Sequence, residues 1–115
     1  MARLHRVIVS VTDLERSRGF YADLLGLSPQ PALGEAQLLT IGDGVELLLH
    51  QRETAPSDRS ISVSFGIEDL DGTCTRWAAA GGSVVDEPAD QPWGERMAVV
   101  RDPDGHLICL VQQPG

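Results

Sequence analysis

The chain has 115 residues, of which 42% are hydrophobic and 23% charged, and its formal net charge is −8. This composition is that of one globular domain with a buried core, and no run approaches the ~20 apolar residues of a membrane span. All nine basic residues are arginines and form no basic stripe, so neither nucleic acid nor a membrane is an expected partner. Met1 leads directly into strand-like sequence without a signal segment, so we expect a cytoplasmic protein.

The first half of the chain begins with a predicted strand and helix. Residues 4 to 11 are rich in Val and Ile, which favours a strand. Thr12-Asp13-Leu14-Glu15 has the spacing of a capping box and predicts a helix that begins near Asp13. Phe20, Leu24 and Leu25 continue it as an apolar stripe, and Gly26 ends it.

Three further strands complete this half. Pro29 and Pro31 restrict the first of them to a sheet edge or an irregular piece. Ala36 to Ile41 and Val45 to His50 are typical strands, and Gly42-Asp43-Gly44 between them is a hairpin signal.

The second half follows the same plan. We expect strands over Ser60 to Ile67 and Ser83 to Asp86, a helix over Leu70 to Ala80, and a stop at Gly81-Gly82. Glu87 to Glu95, which contains Trp93, is predicted to be a loop because Pro88 and Pro92 interrupt it. The last two predicted strands, Arg96 to Arg101 and Leu107 to Gln112, flank the turn Asp102-Pro103-Asp104-Gly105.

The two halves are repeats of one unit. Asp13-Leu14 recurs 56 residues later as Asp69-Leu70, and at the same offset Tyr21 matches Trp77. A fixed internal period predicts two copies of one supersecondary unit, each too small to bury its apolar face alone. We therefore expect a single domain over residues 1–115, with module one at 1–53, a polar linker at 54–59 and module two at 60–115. A site is expected where the modules meet.

Alternation along the first strand of each module separates two faces. Val7, Val9 and Val11 share the apolar face of the first strand, on which the helix should pack. The opposite face, which carries Arg6 and Ser10 in module one and Ser62 and Ser64 in module two, is small and polar. That face either binds a ligand or simply meets water.

These motifs resemble the vicinal oxygen chelate superfamily, which includes glyoxalases, bleomycin-resistance proteins and extradiol dioxygenases. The similarity covers nearly the whole chain, and the stretches that match best are Val9 to Ser17, Phe20 to Leu27, Pro92 to Arg96 and Asp102 to His106. The resemblance implies an α+β fold of two tandem βαβββ modules. They would form a curved mixed sheet around a cavity, with the helices on the convex face.

The resemblance also implies where a metal would be held. Metal-dependent members bind a divalent ion through His and Glu on the first and last strands of each module. The corresponding positions in this chain are Arg6, Leu48, Ser62 and Cys109. None is a His or a carboxylate, and an Arg repels a divalent cation, so we expect no metal and no other cofactor. His5 lies one residue out of register and should point to the opposite face.

Several residues near these positions keep more than one interpretation. Glu46 and His50 share the face of Leu48 and are either rim residues or parts of a displaced metal site with Cys109. Arg6 pairs either with Glu46 or with an anionic group of a ligand. His106 is expected to be a solvated turn residue.

The aromatic and sulfur-containing side chains also leave alternatives open. Trp93 either stacks on a ligand or covers the core, and Trp77 is expected in the core. Cys74 and Cys109 lie far apart and form no Cys-x-x-Cys pair. We expect two buried, reduced and inert thiols rather than a disulfide or a zinc site.

The leading hypothesis is a metal-free protein that binds and sequesters a small molecule, similar to the bleomycin-resistance branch. The expected ligand is cationic or aromatic, and the resemblance implies a homodimer. The predicted ligand-binding residues are Arg6, Ser10, Glu46, Leu48, His50, Ser62, Ser64, Trp93 and Cys109, and no catalytic residue is identified. The alternatives are a glyoxalase-like lyase or isomerase, an extradiol-type dioxygenase with a displaced metal site, and a regulatory module without catalysis.

Overall fold

A computed structural model of the chain describes residues 1–42 and 44–114. The chain divides into two compact units, Met1–Thr54 and the part from Ala55 onward. The predicted Gly42-Asp43-Gly44 turn includes Asp43, and the predicted domain extends to Gly115; both residues lie outside the described part.

The first unit contains a four-stranded sheet and one helical segment in two parts. Its elements are β1 (Arg6–Val11), α1 (Leu14–Arg18), a π-helical segment (Gly19–Leu24), β2 (Ser28–Pro29), β3 (Ala36–Gly42) and β4 (Val45–Gln51). The strand order is β1-β4-β3-β2. Strand β1 is parallel to β4, and the other neighbours are antiparallel. The Pro-containing strand β2 is a two-residue edge strand, as its prolines predict.

The second unit repeats this architecture. Its elements are β5 (Val63–Ile67), α2 (Leu70–Ala79), β6 (Ser83–Asp90), β7 (Arg96–Arg101) and β8 (Leu107–Gln112). The order is β5-β8-β7-β6, with β5 parallel to β8. Each unit is therefore a βαβββ module with a mixed sheet, and the predicted α+β class with two tandem modules is confirmed.

Both helices begin with the same two contacts. Asp13 and Asp69 are the N-caps, and each carboxylate accepts a hydrogen bond from the backbone three residues on, at 3.1 Å in both cases. The first helical N–H of each module is also satisfied from its own last strand: Leu14 N donates to Gln51 Oε1 and Leu70 N to Gln112 Oε1, both at 2.9 Å. These bonds satisfy donors that a helix start otherwise leaves unpaired.

The strand β6 corrects the predicted loop over Glu87 to Glu95. It continues to Asp90, and its pairing with β7 shifts register twice, between Val84 and Asp86 and between Asp86 and Ala89. Pro88 lies within the second shift. A proline has no N–H for a ladder bond, but an irregularity on an edge strand tolerates one, so the strand continues past it.

One face of each sheet forms the core with the helix of its own module. The largest fully buried side chains include Tyr21 in module one and Trp77 in module two, at 1% and 0% exposure. The Trp77 indole donates from Nε1 to the Arg101 carbonyl at 2.8 Å. Trp77 is therefore a core residue with a satisfied polar group. Among the described residues, no helix is long and apolar enough to span a membrane.

Candidate functional site

Five of the predicted ligand-binding residues share one face of the first sheet, opposite its buried face. The pairing of β1 with β4 places Arg6 beside Glu46, Ile8 beside Leu48 and Ser10 beside His50. Strand β3 extends these pairs into three rows, because Thr40 lies beside Glu46, Leu38 beside Leu48 and Ala36 beside His50. The face thus consists of an ionic row, an apolar row and a polar row.

The ionic row is held by a close ion pair. Arg6 donates from Nε and from Nη2 to the same oxygen of Glu46, Oε1, at 3.0 and 2.6 Å. The two side chains are 32% and 29% exposed, so the pair is partly shielded from water. Of the two predicted interpretations of Arg6, the structure realises the one with a structural partner.

His5 does not follow the predicted alternation. Strand β1 begins at Arg6, so His5 precedes the regular strand. Its ring, which is 75% exposed, brings Nε2 to 3.9 Å from the same Glu46 oxygen. The expectation that His5 points away from this face is wrong, because the two-residue period of side chains applies only within a strand.

The middle row is apolar and open. Ile8 is 55% exposed, although it is a large hydrophobic residue on a strand. Its neighbours in the row, Leu48 on β4 and Leu38 on β3, are half-buried. An exposed apolar strip between two polar rows offers a surface for the apolar body of a small molecule.

The polar row contains a residue that the sequence analysis did not single out. Arg52 directly follows β4, and its Nε donates to the Ser10 hydroxyl at 2.7 Å. Its backbone N–H donates to the Val11 carbonyl at 2.9 Å, which fixes the end of β4 against the end of β1. Arg52 is therefore held beside Ser10 and His50 at this end of the face.

The open face of the second sheet carries neutral polar groups on β5 and β8. Ser64 lies beside Cys109 in the β5–β8 register. The Ser62 hydroxyl, just before β5, is 3.7 Å from the Cys109 thiol. Cys109 is half-buried rather than buried as predicted, because its side chain lies on the face opposite Leu110 and the core.

Cys74 is more deeply buried than Cys109. It is 3% exposed within α2, and burial, together with the negative charges of Glu87 and Asp71, raises the pKa of its thiol. A thiol that stays protonated in an apolar environment is a poor nucleophile and metal ligand. Both cysteines are free, as predicted.

Trp93 lies at the tip of the β6–β7 hairpin and is 64% exposed. The tip is closed by hydrogen bonds from Gln91 N to the Glu95 carbonyl at 2.7 Å and from Gly94 N to the Gln91 carbonyl at 3.0 Å. The indole Nε1 donates to Glu95 Oε1 at 2.7 Å. An indole this exposed does not cover the core, and its contact with a ligand stays a prediction.

The two ends of the matched Pro92 to Arg96 segment have different roles. Arg96 donates to Asp71 at 2.9 and 3.2 Å and to Asp90 at 3.3 Å. The Arg96 guanidinium lowers the pKa of the Asp71 carboxyl, chiefly through this hydrogen bond. Arg96 therefore ties the start of α2 to β6, whereas Trp93 is free of the core.

Comparison with known proteins establishes the family. The Glyoxalase/Bleomycin resistance protein/Dioxygenase superfamily matches residues 3–110 of the chain. The chain belongs to this superfamily. The match covers both modules, in agreement with the resemblance seen in the sequence motifs.

The chain is similar in sequence or in structure to several members of the superfamily. It is 35% identical to a probable lactoylglutathione lyase of Synechocystis sp., covering 97% of this chain and 95% of that protein. It is 29% identical to a probable lactoylglutathione lyase of Vibrio cholerae, covering 96% and 90%. The crystal structure of a glyoxalase-related enzyme from Fulvimarina pelagi matches with a TM-score of 0.83 at 22% identity, covering 99% and 90%, and it supports the fold alone.

The side chains at the superfamily's metal positions do not fit a divalent ion. Arg6 places a cation where a ligand is expected, and it already holds the carboxylate of Glu46. His50 is four residues from Glu46 on the same strand, so their Cα atoms are about 13 Å apart. Two ligands of one metal must each bring a donor atom to within about 2 Å of it. Within residues 1–42 and 44–114, no three His, Cys, Asp or Glu side chains are grouped so as to hold a metal.

Arg6 and Glu46 could be identified as candidate site residues from the sequence, whereas Arg52 was not identified. The face of Arg52 could have been inferred, since it continues the even-numbered residues of β4. Its contact with Ser10 could not, because that contact depends on the parallel pairing of β1 with β4 across 42 residues.

Proposed function

We propose that this protein binds a small organic molecule on the open sheet faces of its modules and sequesters it without a metal ion. In this it would act as bleomycin-resistance members of the superfamily do. One observation carries the proposal: the Arg6–Glu46 ion pair lies at a position where metal-dependent members hold a metal ligand. The open apolar row beside it and the exposed indole of Trp93 support an aromatic ligand.

Two further features belong to the same proposal. We infer from the family resemblance that the protein functions as a homodimer in the cytoplasm. We also infer that residues 1–115 form one domain and that Ser62, Ser64 and Cys109 bind ligand in module two. Sedimentation velocity on the purified protein tests the dimer, and a monomer at micromolar concentration would contradict it.

The metal-free claim is tested by elemental analysis of the purified protein after dialysis against zinc, nickel, manganese and iron salts. We expect no metal at a stoichiometric level. The proposal would be overturned if the protein bound one equivalent of any of these metals and lost ligand binding when a chelator removed that metal.

The binding claim is tested by titrating the tryptophan fluorescence with bleomycin and with planar aromatic compounds. We expect quenching that disappears in Trp93→Phe, because Trp77 is buried and remote from solvent. Quenching that persists unchanged in Trp93→Phe would show that Trp93 does not contact the ligand.

A second candidate function is favoured by the names of the relatives. Two similar proteins that span nearly the whole chain are probable lactoylglutathione lyases, so a glyoxalase-like lyase is the alternative. The test is turnover of the hemithioacetal of methylglyoxal and glutathione, with and without added nickel or zinc. Turnover that depends on added metal would replace the sequestering proposal with the lyase.

A further inference from the structure

The rows of the first sheet define positions along a ligand. Successive rows are two residues apart on each strand, so they are separated by about 6.6 Å. The apolar row of Ile8, Leu48 and Leu38 thus lies between the Arg6–Glu46 pair and the Ser10–His50 pair. A molecule with an apolar body about two rows long would bring its ends to the two polar rows.

The two arginines on this face differ in how their charges are balanced. The guanidinium of Arg6 is neutralised by Glu46. No ion pair joins Arg52 to a carboxylate of residues 1–42 and 44–114, and its only side-chain partner there is the neutral Ser10 hydroxyl. The bond through Nε orients the guanidinium while its Nη donors make no hydrogen bond within the described part.

On these grounds we propose that Arg52, oriented by Ser10, is an anion-binding subsite in the polar row next to the apolar row. The ligand of the proposed function would then be an amphipathic molecule: an apolar body over Ile8, Leu48 and Leu38 with a carboxylate, sulfonate or similar acidic group on Arg52. A guanidinium with its Nη edge open recognises such planar or trigonal anions by paired, charge-assisted hydrogen bonds. This inference rests on the proposed function and names its ligand class.

This preference is opposite to the one that the net charge predicts. A charge of −8 repels anions at long range, but at physiological salt the Debye length is about 8 Å and distant charges are largely screened. A direct contact with one oriented guanidinium acts at about 2.8 Å, within that length. The guanidinium of Arg52 therefore decides the charge of the ligand that binds.

Two probes with the same ring system test the subsite. Anilinonaphthalene sulfonate carries an anionic group, and phenylnaphthylamine is its uncharged counterpart. We expect the protein to bind the sulfonate about tenfold more tightly than the neutral probe, measured by fluorescence titration. Arg52→Gln should remove this preference and leave the affinity for the neutral probe unchanged.

Matched variants separate the subsite from general charge and from misfolding. Arg16 is also exposed and without an ion pair in the described part, but it lies on helix α1, so Arg16→Gln should keep the preference. Ile8→Asp should weaken both probes, because Ile8 lies in the apolar row and is exposed enough to change without unfolding the sheet. A cooperative thermal transition is required of every variant, since anilinonaphthalene sulfonate also binds partly unfolded proteins.

The outcomes are distinguishable. Equal affinity for the two probes, with both weakened by Ile8→Asp, would overturn the anion subsite and leave the proposed function standing. A sulfonate preference that survives Arg52→Gln would also overturn the subsite. No binding of either probe, or binding that Ile8→Asp does not change, would overturn the proposed function at this face and the subsite with it.

Discussion

The two modules share a strand and helix order, but their helices differ in how they wind. In module two, α2 is a regular α-helix whose buried residues Leu70, Thr73, Cys74 and Trp77 follow the spacing of a single helical face. In module one, the helix changes at Gly19 to a π-helical turn, in which Leu25 N donates to the carbonyl of Phe20, five residues earlier.

A difference in sequence accounts for this. The module-one position that matches Cys74 is Arg18, which is exposed, and the position that matches the exposed Arg76 is Phe20, which is buried. A regular α-helix would turn Arg18 toward the core and Phe20 toward water. The wider turn buries Phe20 beside Tyr21 instead, at 3% and 1% exposure. The repeat thus keeps its architecture while the helix adapts to local hydrophobicity.

The open sheet faces diverge further than the cores. Module one has the Arg6–Glu46 ion pair and Arg52 on its face, whereas module two has the neutral Ser62 at the position of Arg6 and Cys109 at the position of Leu48. Both cores retain a fully buried aromatic residue at the same place in the helix. The shared features are those that folding requires, and the differences lie where a ligand would bind.

The largest change in stability is expected in the core of module two. Trp77→Ala should lower the free energy of unfolding by about 3–5 kcal/mol, because it removes a fully buried ring and leaves a cavity. Urea denaturation measures the change. Trp93→Ala is the control and should stay within about 0.5 kcal/mol, since its indole is mostly exposed. Equal losses in both variants would contradict the different positions of the two tryptophans.

A smaller effect concerns the faces on which the modules differ. A double-mutant cycle of Arg6→Ala and Glu46→Ala should give a coupling of about 1–2 kcal/mol in urea denaturation, because the pair is partly shielded and close. In module two, the cycle of Ser62→Ala and Cys109→Ala should give less than about 0.5 kcal/mol, because a thiol is a weak hydrogen-bonding group. A larger coupling energy in module two than in module one would contradict the stronger interaction assigned to the Arg6–Glu46 pair.

The smallest effect concerns the helix starts, where the modules are alike. Asp13→Ala and Asp69→Ala should each cost about 1 kcal/mol, because each removes the side chain that accepts a helical N–H. Asp13→Asn and Asp69→Asn keep an accepting oxygen and should lose clearly less. The same denaturation experiment decides this, and an alanine variant as stable as its asparagine counterpart would show that the cap is dispensable.

Much of the architecture could be predicted from local patterns. The bounds of β7 and β8 agree with the prediction, and α2 ends one residue earlier than predicted, at Ala79. The π-helical turn and the continuation of β6 past Pro88 could not be predicted. The first depends on which side chains compete for the core, and the second on a register shift against β7.

The candidate site divides in the same way. By itself the sequence determined the duplication, the family and the face on which Arg6, Glu46 and His50 lie, because these follow from spacing and from the two-residue period of a strand. Only the tertiary structure decided that Arg6 is neutralised by Glu46, that Cys109 is half-buried and that Arg52 is oriented by Ser10. Each of these depends on pairing between strands that are distant in the chain, and such pairing is decided by packing of the whole module rather than by any local pattern.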